Sequence, residues 1–331
     1  MENSRCEVGN RTVPCLGAST WIVASILFCL IGSFANLQAH ARVSNATTLT
    51  TSPFSGSETI SKNAEVRIVP DSEYDFGSHN YFSTLLKLAL KKTEPEYGER
   101  ELIEINEHLV QKRALQQLQN DGTIDVYWTV TTKQREQKAL PVRVPLLKGI
   151  MGYRVGLVRS ERLEDFERLN SAVQLKRLIA GQGHDWPDFE ILSDNGFEVL
   201  GTSVYDSLVD LLYKGRVDYY PRAINETIAE YAYFDSPELA IEPNFILYYP
   251  SYIFFFVAKN KPELAKRIEL GLDRAMDDGS FEQLFKNYIN IYEIKAQLNL
   301  DNRQVIELKN NLLSEQTMSI KAPDLIRLSS K

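Results

Sequence analysis

The stretch with the plainest chemistry is Gly181-Gln182-Gly183-His184-Asp185-Trp186-Pro187. A glycine-rich turn feeding a helix that starts at Pro187 presents free backbone N–H groups, and such groups suit an anion. Lys133, Arg135 and Lys138 form a basic cluster on a polar stretch, which on its own reads as a solvated loop. Arg222 and Glu226 set opposite charges close together just after the strand candidate Val217–Tyr220. Groupings that would do catalysis are not formed. His79, His108 and His184 are scattered, without the H-x-x-x-H or H-E-x-x-H spacing of a metal site. There is no G-x-S-x-G elbow. The acidic neighbours Glu101 and Glu104, or Asp277 and Asp278, fit exposed helix or turn positions better than a general acid–base pair. The reading is a binder rather than an enzyme, with neither metal nor cofactor.

Composition agrees with a globular binder. The chain has 331 residues, 44% of them apolar and 24% charged, which argues for about two folded domains. Its net charge of -7 makes it a poor partner for nucleic acid, which is held through phosphate contacts. Thr12–Ala41 carries no charged residue, and its centre, Trp21–Leu37, is mostly apolar. Ala39-His40-Ala41 then offers the small residues of a cleavage site. This predicts a secretory signal peptide over 1–41, cut after Ala41, with an uncleaved membrane anchor as the alternative. All three cysteines (Cys6, Cys15, Cys29) lie in that segment, so the exported chain would have no disulfide framework.

The elements that must position these groups alternate. Residues 42–62 are rich in Ser and Thr and read as a flexible lead-in. Strands are expected at Val66–Val69, Leu102–Ile105 and Ile124–Val130. Helical stripes stand between them, one through Phe82, Leu85, Leu86 and Ala89, the next through Val110, Ala114 and Leu118. A second series starts at Tyr153–Val158. It includes a capping box at Ser203–Asp206, a helix through Leu208 and Leu212, and the strand Val217–Tyr220. Phe254–Val257 suits a strand buried on both faces. Helices follow after Pro262 and at Ser280, and a last one is expected over Asp301–Leu313. This predicts an α/β protein with mainly parallel sheets flanked by helices.

Three segments in this order resemble the bacterial solute-binding proteins of family 3, which have the type II periplasmic-binding fold. Thr132-Lys133-Gln134-Arg135 resembles the family's T-x-x-R. Leu211–Asp218 resembles its L-x-x-G-R-V-D segment. Asp277-Asp278-Gly279-Ser280, followed by Phe281 and Tyr288, resembles its closing helix. The resemblance implies two lobes joined by a two-strand hinge near 145–149 and 247–252. Lobe 1 would comprise 63–149 plus 248–331, and lobe 2 would comprise 150–247.

The resemblance also implies site roles. Arg135 would pair with a ligand carboxylate, its planar fork matching two oxygens, with Thr132 adding a hydroxyl bond. Gly181, Gly183 and Trp186 would form a ligand loop in lobe 2. Tyr74 and Trp128 would line the cleft, with core packing as the plainer alternative for each. The amino-acid binders carry an Asp just beyond the strand at 217–220, to hold the ligand's ammonium group. Here Pro221, Arg222 and Ala223 stand nearest. Arg222 as a second free guanidinium would favour an anionic solute, unless Glu226 or Asp185 restores ammonium recognition. The implied protein is a periplasmic monomer that captures a small-molecule solute. It would serve a membrane permease of the ABC type, or alternatively a signalling sensor, and some relatives of this fold imply a periplasmic enzyme as a further alternative.

Overall fold

Short β-branched and aromatic runs between turn signals become strands. The computed structural model describes residues 6–8, 11–13, 65–69, 80–105, 109, 111–119 and 122–321. Met1–Ser55 and Gly56–Lys331 are separate units. In the first, β1 (Cys6–Val8) and β2 (Arg11–Val13) form an antiparallel hairpin. The expected apolar signal stretch Trp21–Leu37, its cleavage site and the lead-in 42–62 lie outside the described residues, as do Tyr74 and Phe76. Among the described residues no helix is long and apolar enough to cross a membrane.

The second unit carries β3 (Glu65–Ile68), β4 (Glu101–Glu104), β5 (Val126–Val130), β6 (Leu140–Val142), β7 (Tyr153–Arg159), β8 (Ile179–Gly183), β9 (Glu198–Thr202), β10 (Tyr219–Ala223), β11 (Leu239–Ile241), β12 (Phe245–Tyr248), β13 (Ile253–Val257) and β14 (Gln304–Glu307). Five of them form a sheet in the order β4-β3-β5-β13-β6. Seven form another, β14-β12-β7-β10-β8-β9, with β11 also on β7. Helices flank both, so the molecule is the expected two-lobed α/β protein. The sheets are mixed rather than mainly parallel, and every antiparallel pairing in them involves β7 or β13. Those are the strands that follow the first two crossings between the sheets. Apolar patterning marks a strand but carries no sign of its direction.

Local patterning is followed closely elsewhere. Helix Tyr81–Lys92 buries Phe82, Leu85, Leu86 and Ala89 against Ile268, Leu272 and Ala275 of helix Pro262–Asp277. The two backbones touch at Gly271, where a Cβ would fall 2.0 Å from the Ala89 carbonyl oxygen. Phe254 to Val257 of β13 are fully buried between β5 and β6. The expected capping box at Ser203 is not formed. The helix starts at Asp206, and Thr202 Oγ1 takes the Val204 amide in a tight turn instead, leaving Val204 exposed.

The chain passes between the two sheets four times. Residues 143–152 lead from β6 to β7, and 249–252 return from β12 to β13, as the hinge positions predict. The crossings are tied to each other by Tyr249 N–H to the Gly152 carbonyl (3.1 Å). After helix Ser280–Tyr288 the chain crosses again, through helix Ile291–Gln297 and a 3-10 turn at Leu300–Asn302. It enters β14 and then returns, with the Lys133 amide donating to the Leu312 carbonyl (2.7 Å). The helix expected over Asp301–Leu313 is therefore a turn and a strand. The β-branched pair Val305 and Ile306 lies parallel to β12 in the seven-stranded sheet, not on the first lobe.

Candidate functional site

Between the two sheets lies a cavity of about 590 Å³. Val69, Gln111, Lys112, Tyr127 and Val130 line it from the five-stranded lobe. Arg154, residues 183–188, residues 202–206, Arg222 and Glu226 line it from the other. An inner recess of about 130 Å³ has apolar walls of Phe82, Trp128, Leu147 and Ile253. Gln111, Thr129, Asn225 and Glu226 add polar lining, and Asn225 Oδ1 is buried with no hydrogen-bond partner among the described residues.

Arg135 stands behind this wall. It lies in helix Lys133–Lys138, which the Thr132 side chain caps by accepting the Arg135 amide at 3.1 Å. Its Nη1 donates to Thr129 Oγ1 (2.7 Å) and the Val130 carbonyl (2.8 Å). Its Nη2 donates to Gln111 Oε1 (3.0 Å) and, across the cleft, to the Asp185 carbonyl (3.3 Å). Each of these four acceptor residues lines the cavity or its recess. All four acceptors are neutral, and among the described residues Arg135 makes no ion pair. Desolvation by burial accordingly lowers its pKa, against the coulombic pull of Tyr127, Asp188 and Asp185. It keeps its charge all the same, given how high a guanidinium starts.

The other lobe treats its arginines differently. Arg154 Nη2 lies 2.8 Å from Asp188 Oδ1, and its Nη1 lies 3.7 Å from Glu226 Oε2. Arg222 Nη2 lies 2.6 Å from Glu230 Oε1 and 3.2 Å from Glu226 Oε2, and its Nε donates to Glu230 at 2.7 Å. Tyr205 donates to the same Glu230 oxygen at 2.5 Å. The result is an alternating row, Asp188–Arg154–Glu226–Arg222–Glu230. Burial works against both cations. The surrounding acids nevertheless hold Arg154 above its ordinary pKa, and Arg222 well above it. Burial raises the Glu230 carboxyl against the pull of Arg222. Among the described residues, Glu226 accepts only through Oε2, and Oε1 takes no bond.

No protein-family model and no curated protein sequence matches the chain. Solved structures do match. An ancestral arginine-binding protein bound to glutamine superposes with a TM-score of 0.52 at 16% identity, over 68% of this chain and 98% of that one. An arginine-specific periplasmic binding protein of Salmonella typhimurium gives 0.51 at 14%, over 68% and 97%. An ancestral amino acid-binding protein, a precursor of cyclohexadienyl dehydratase, gives 0.50 at 16%, over 69% and 96%. The chain has the type II periplasmic-binding fold. The resemblance carried by T-x-x-R, G-R-V-D and the closing helix thus holds at the level of the fold.

Within this periplasmic-binding fold the anticipated site residues are partly gathered. Gly183, Trp186, Arg222 and Glu226 line the main cavity. Trp128 faces only the recess, stacked on Phe82 with ring centres 5.8 Å apart, while its neighbour Tyr127 takes the main wall. Gly181 and Gly183 lie in strand β8 rather than in a loop. Their lack of a side chain serves packing: a Cβ on Gly181 would meet Val217 at 3.2 Å, and one on Gly183 would meet the Trp186 ring at 2.4 Å. Trp186 also carries the Arg222 guanidinium 4.8 Å from its ring centre, so it is held in the wall. Thr132 is occupied as a helix cap, and Arg222 is an internally paired cation rather than a free one. Tyr74 lies outside the described residues.

The sequence reading passed over Arg154, Asp188, Tyr205 and Glu230. Arg154 had a signal, as the one charge inside the apolar run Tyr153–Val158. Glu230 follows Glu226 by four residues and therefore shares its helix face. Asp188, just after Pro187, looks like an ordinary first-turn acid at a helix N-terminus. Among the described residues no cluster of His, Cys, Asp and Glu is placed to hold a metal ion.

Proposed function

We propose that the protein is an exported solute-binding protein that closes its two lobes on a small, carboxylate-bearing solute. The observation that carries this reading is Arg135, a buried cation at the seam of the lobes whose partners among the described residues are all neutral. A buried charge is costly until an anion compensates it. A solute carboxylate that displaces the Gln111 and Asp185 contacts would supply that anion in bidentate form. Thr132 supports the arrangement by fixing the turn that presents Arg135.

The second half of recognition falls to the recess. Asn225 Oδ1 and Glu226 Oε1 offer acceptors beside aromatic walls, which suits an ammonium group. Arg222, whose charge is already met by Glu226 and Glu230, gives no second anion site. The reading is therefore a zwitterionic, amino-acid-like solute rather than a dicarboxylate. The three solved structures named above are of arginine- or amino-acid-binding proteins, which supports it. Acids tied into arginine pairs suit recognition better than proton transfer. The same proposal takes 1–41 as a cleaved signal peptide and the periplasm as the working compartment. It gives the exported chain, a monomer, to a membrane permease of the ABC type.

A thermal-shift panel of neutral amino acids and small organic anions tests the reading. A ligand at 100 times its dissociation constant adds about 2.7 kcal/mol of stability. Stabilisation by a neutral amino acid, weakened by Glu226→Gln, is the expected result. Stabilisation by dicarboxylates alone would contradict the ammonium assignment, and no response to any carboxylate would contradict the function.

A further inference from the structure

The last described segment is anchored unequally at its two ends. On the seven-stranded lobe the attachment is extensive. β14 pairs with β12 over four residues. Arg303 is buried against Glu242 at 2.9 Å. Asn195 then grips Lys309, accepting its N–H (2.9 Å) and donating to its carbonyl (2.8 Å). Asn310 follows with a bond to the Pro250 carbonyl in the return crossing, at 2.8 Å.

On the five-stranded lobe the attachment is lighter. The Leu312 carbonyl accepts the Lys133 amide, Leu313 tucks into the core, and Ser314 and Thr317 donate to Glu136 at 2.9 and 2.8 Å. Glu136 also receives Thr131 (2.8 Å) and Arg143 (2.8 Å), both from its own lobe. Its carboxylate therefore stays paired when the two hydroxyls leave. One end is built to stay, and the other can let go at the cost of neutral donors, the buried Leu313 and the partly buried Ile320.

The link between the ends is short. Three residue steps from Lys309 to Leu312 span at most about 11 Å when fully extended. Lys133 and Glu136 flank Arg135 on a single helical turn, and Arg135 itself touches Asp185 of the opposite lobe. We propose that residues 309–319 are a clasp that limits lobe separation, so that wide opening of the cleft requires release of this segment from Glu136 and Lys133. Small hinge movements leave the clasp fastened, and full exchange of the cleft contents does not. This device stands on the connectivity alone, whatever solute the cleft takes.

The test uses the full chain without ligand, with spin labels on non-natural residues at Lys112 and Val204, which line the cavity from opposite lobes. Double electron–electron resonance reads the lobe distance, and hydrogen exchange reads the Lys133 amide. Removing both hydroxyls in Ser314→Ala/Thr317→Val should speed exchange at Lys133 by about tenfold. It should also add a longer-distance population absent from the parent. A chain ended after Asn310, with its secondary structure checked by circular dichroism, should show that longer distance as its main population. An unchanged distance distribution in the shortened chain, or faster Lys133 exchange with no change in distance in the double variant, overturns the clasp.

Discussion

Arg135 and Arg222 are both buried guanidinium groups at one cleft, and they are provided for in opposite ways. Arg222 has Glu230 and Glu226 within ion-pair distance, from the helix that follows its own strand. Among the described residues, Arg135 has two carbonyls, a hydroxyl and an amide oxygen as its acceptors. The first arrangement is complete within the chain, and its removal should be felt as lost stability. The second leaves a charge uncompensated, and its removal should be felt as lost binding. Position in a cleft therefore does not identify a ligand-reading cation; the sign and number of its existing partners do.

The largest effect should come from breaking the completed pair. Arg222→Ala leaves Glu230 buried without its counter-ion and should cost about 3–5 kcal/mol of stability in urea unfolding. A cost below about 1 kcal/mol would mean the pair is not compensated as drawn. Conservative exchange at the other arginine comes next. Arg135→Lys should preserve the unfolding midpoint yet bind the solute poorly, since an ammonium cannot reproduce the fork. Retained affinity in this variant would show that charge alone, not bidentate geometry, is read.

A smaller effect is expected at Thr132. Its hydroxyl caps the helix, so Thr132→Ala should lower stability by about 1 kcal/mol and leave solute affinity near the parent's. An affinity loss as large as that of Arg135→Ala would return the hydroxyl to the ligand. The gentlest probe is acid. Burial opposes the charge of Glu136, but bonds from Thr317, Thr131, Ser314 and Arg143 hold its pKa below the ordinary 4.5. What it contributes is complete above that value and fades as pH falls through the lowered one. The protection of the Lys133 amide, taken against its intrinsic exchange rate at the same pH, should therefore fall in acid, and protection that instead fell on going to neutral pH would reverse the assigned sign.

Much of the fold is legible in the sequence because its signals are local. Apolar spacing places the helices at 81–92 and 262–277. Pro187 starts a helix and Gly215 takes φ +65° after another. What cannot be read locally is pairing across distance. Nothing within 301–313 says that Val305 and Ile306 will meet β12, some sixty residues earlier. For the same reason the third and fourth crossings go unseen. The site shows the same division. Arg135 is marked by a compact motif, and Arg222 with Glu226 by proximity in sequence. Asp188 and Arg154 become partners only when strand β7 and the helix at 187–194 are folded together. Glycines mislead in a different way. Gly181-x-Gly183 has the look of an anion loop, but in a strand the missing side chains make room for Val217 and Trp186.

The central claim, that Arg135 reads a solute carboxylate, is tested most directly by calorimetry of the parent and Arg135→Ala against the amino acid that stabilises the parent best. Losing one side of a desolvated charged hydrogen bond costs about 2–5 kcal/mol. Affinity should accordingly fall by about 30-fold to 5,000-fold, with the unfolding midpoint retained. Near-parental affinity in Arg135→Ala would contradict the account.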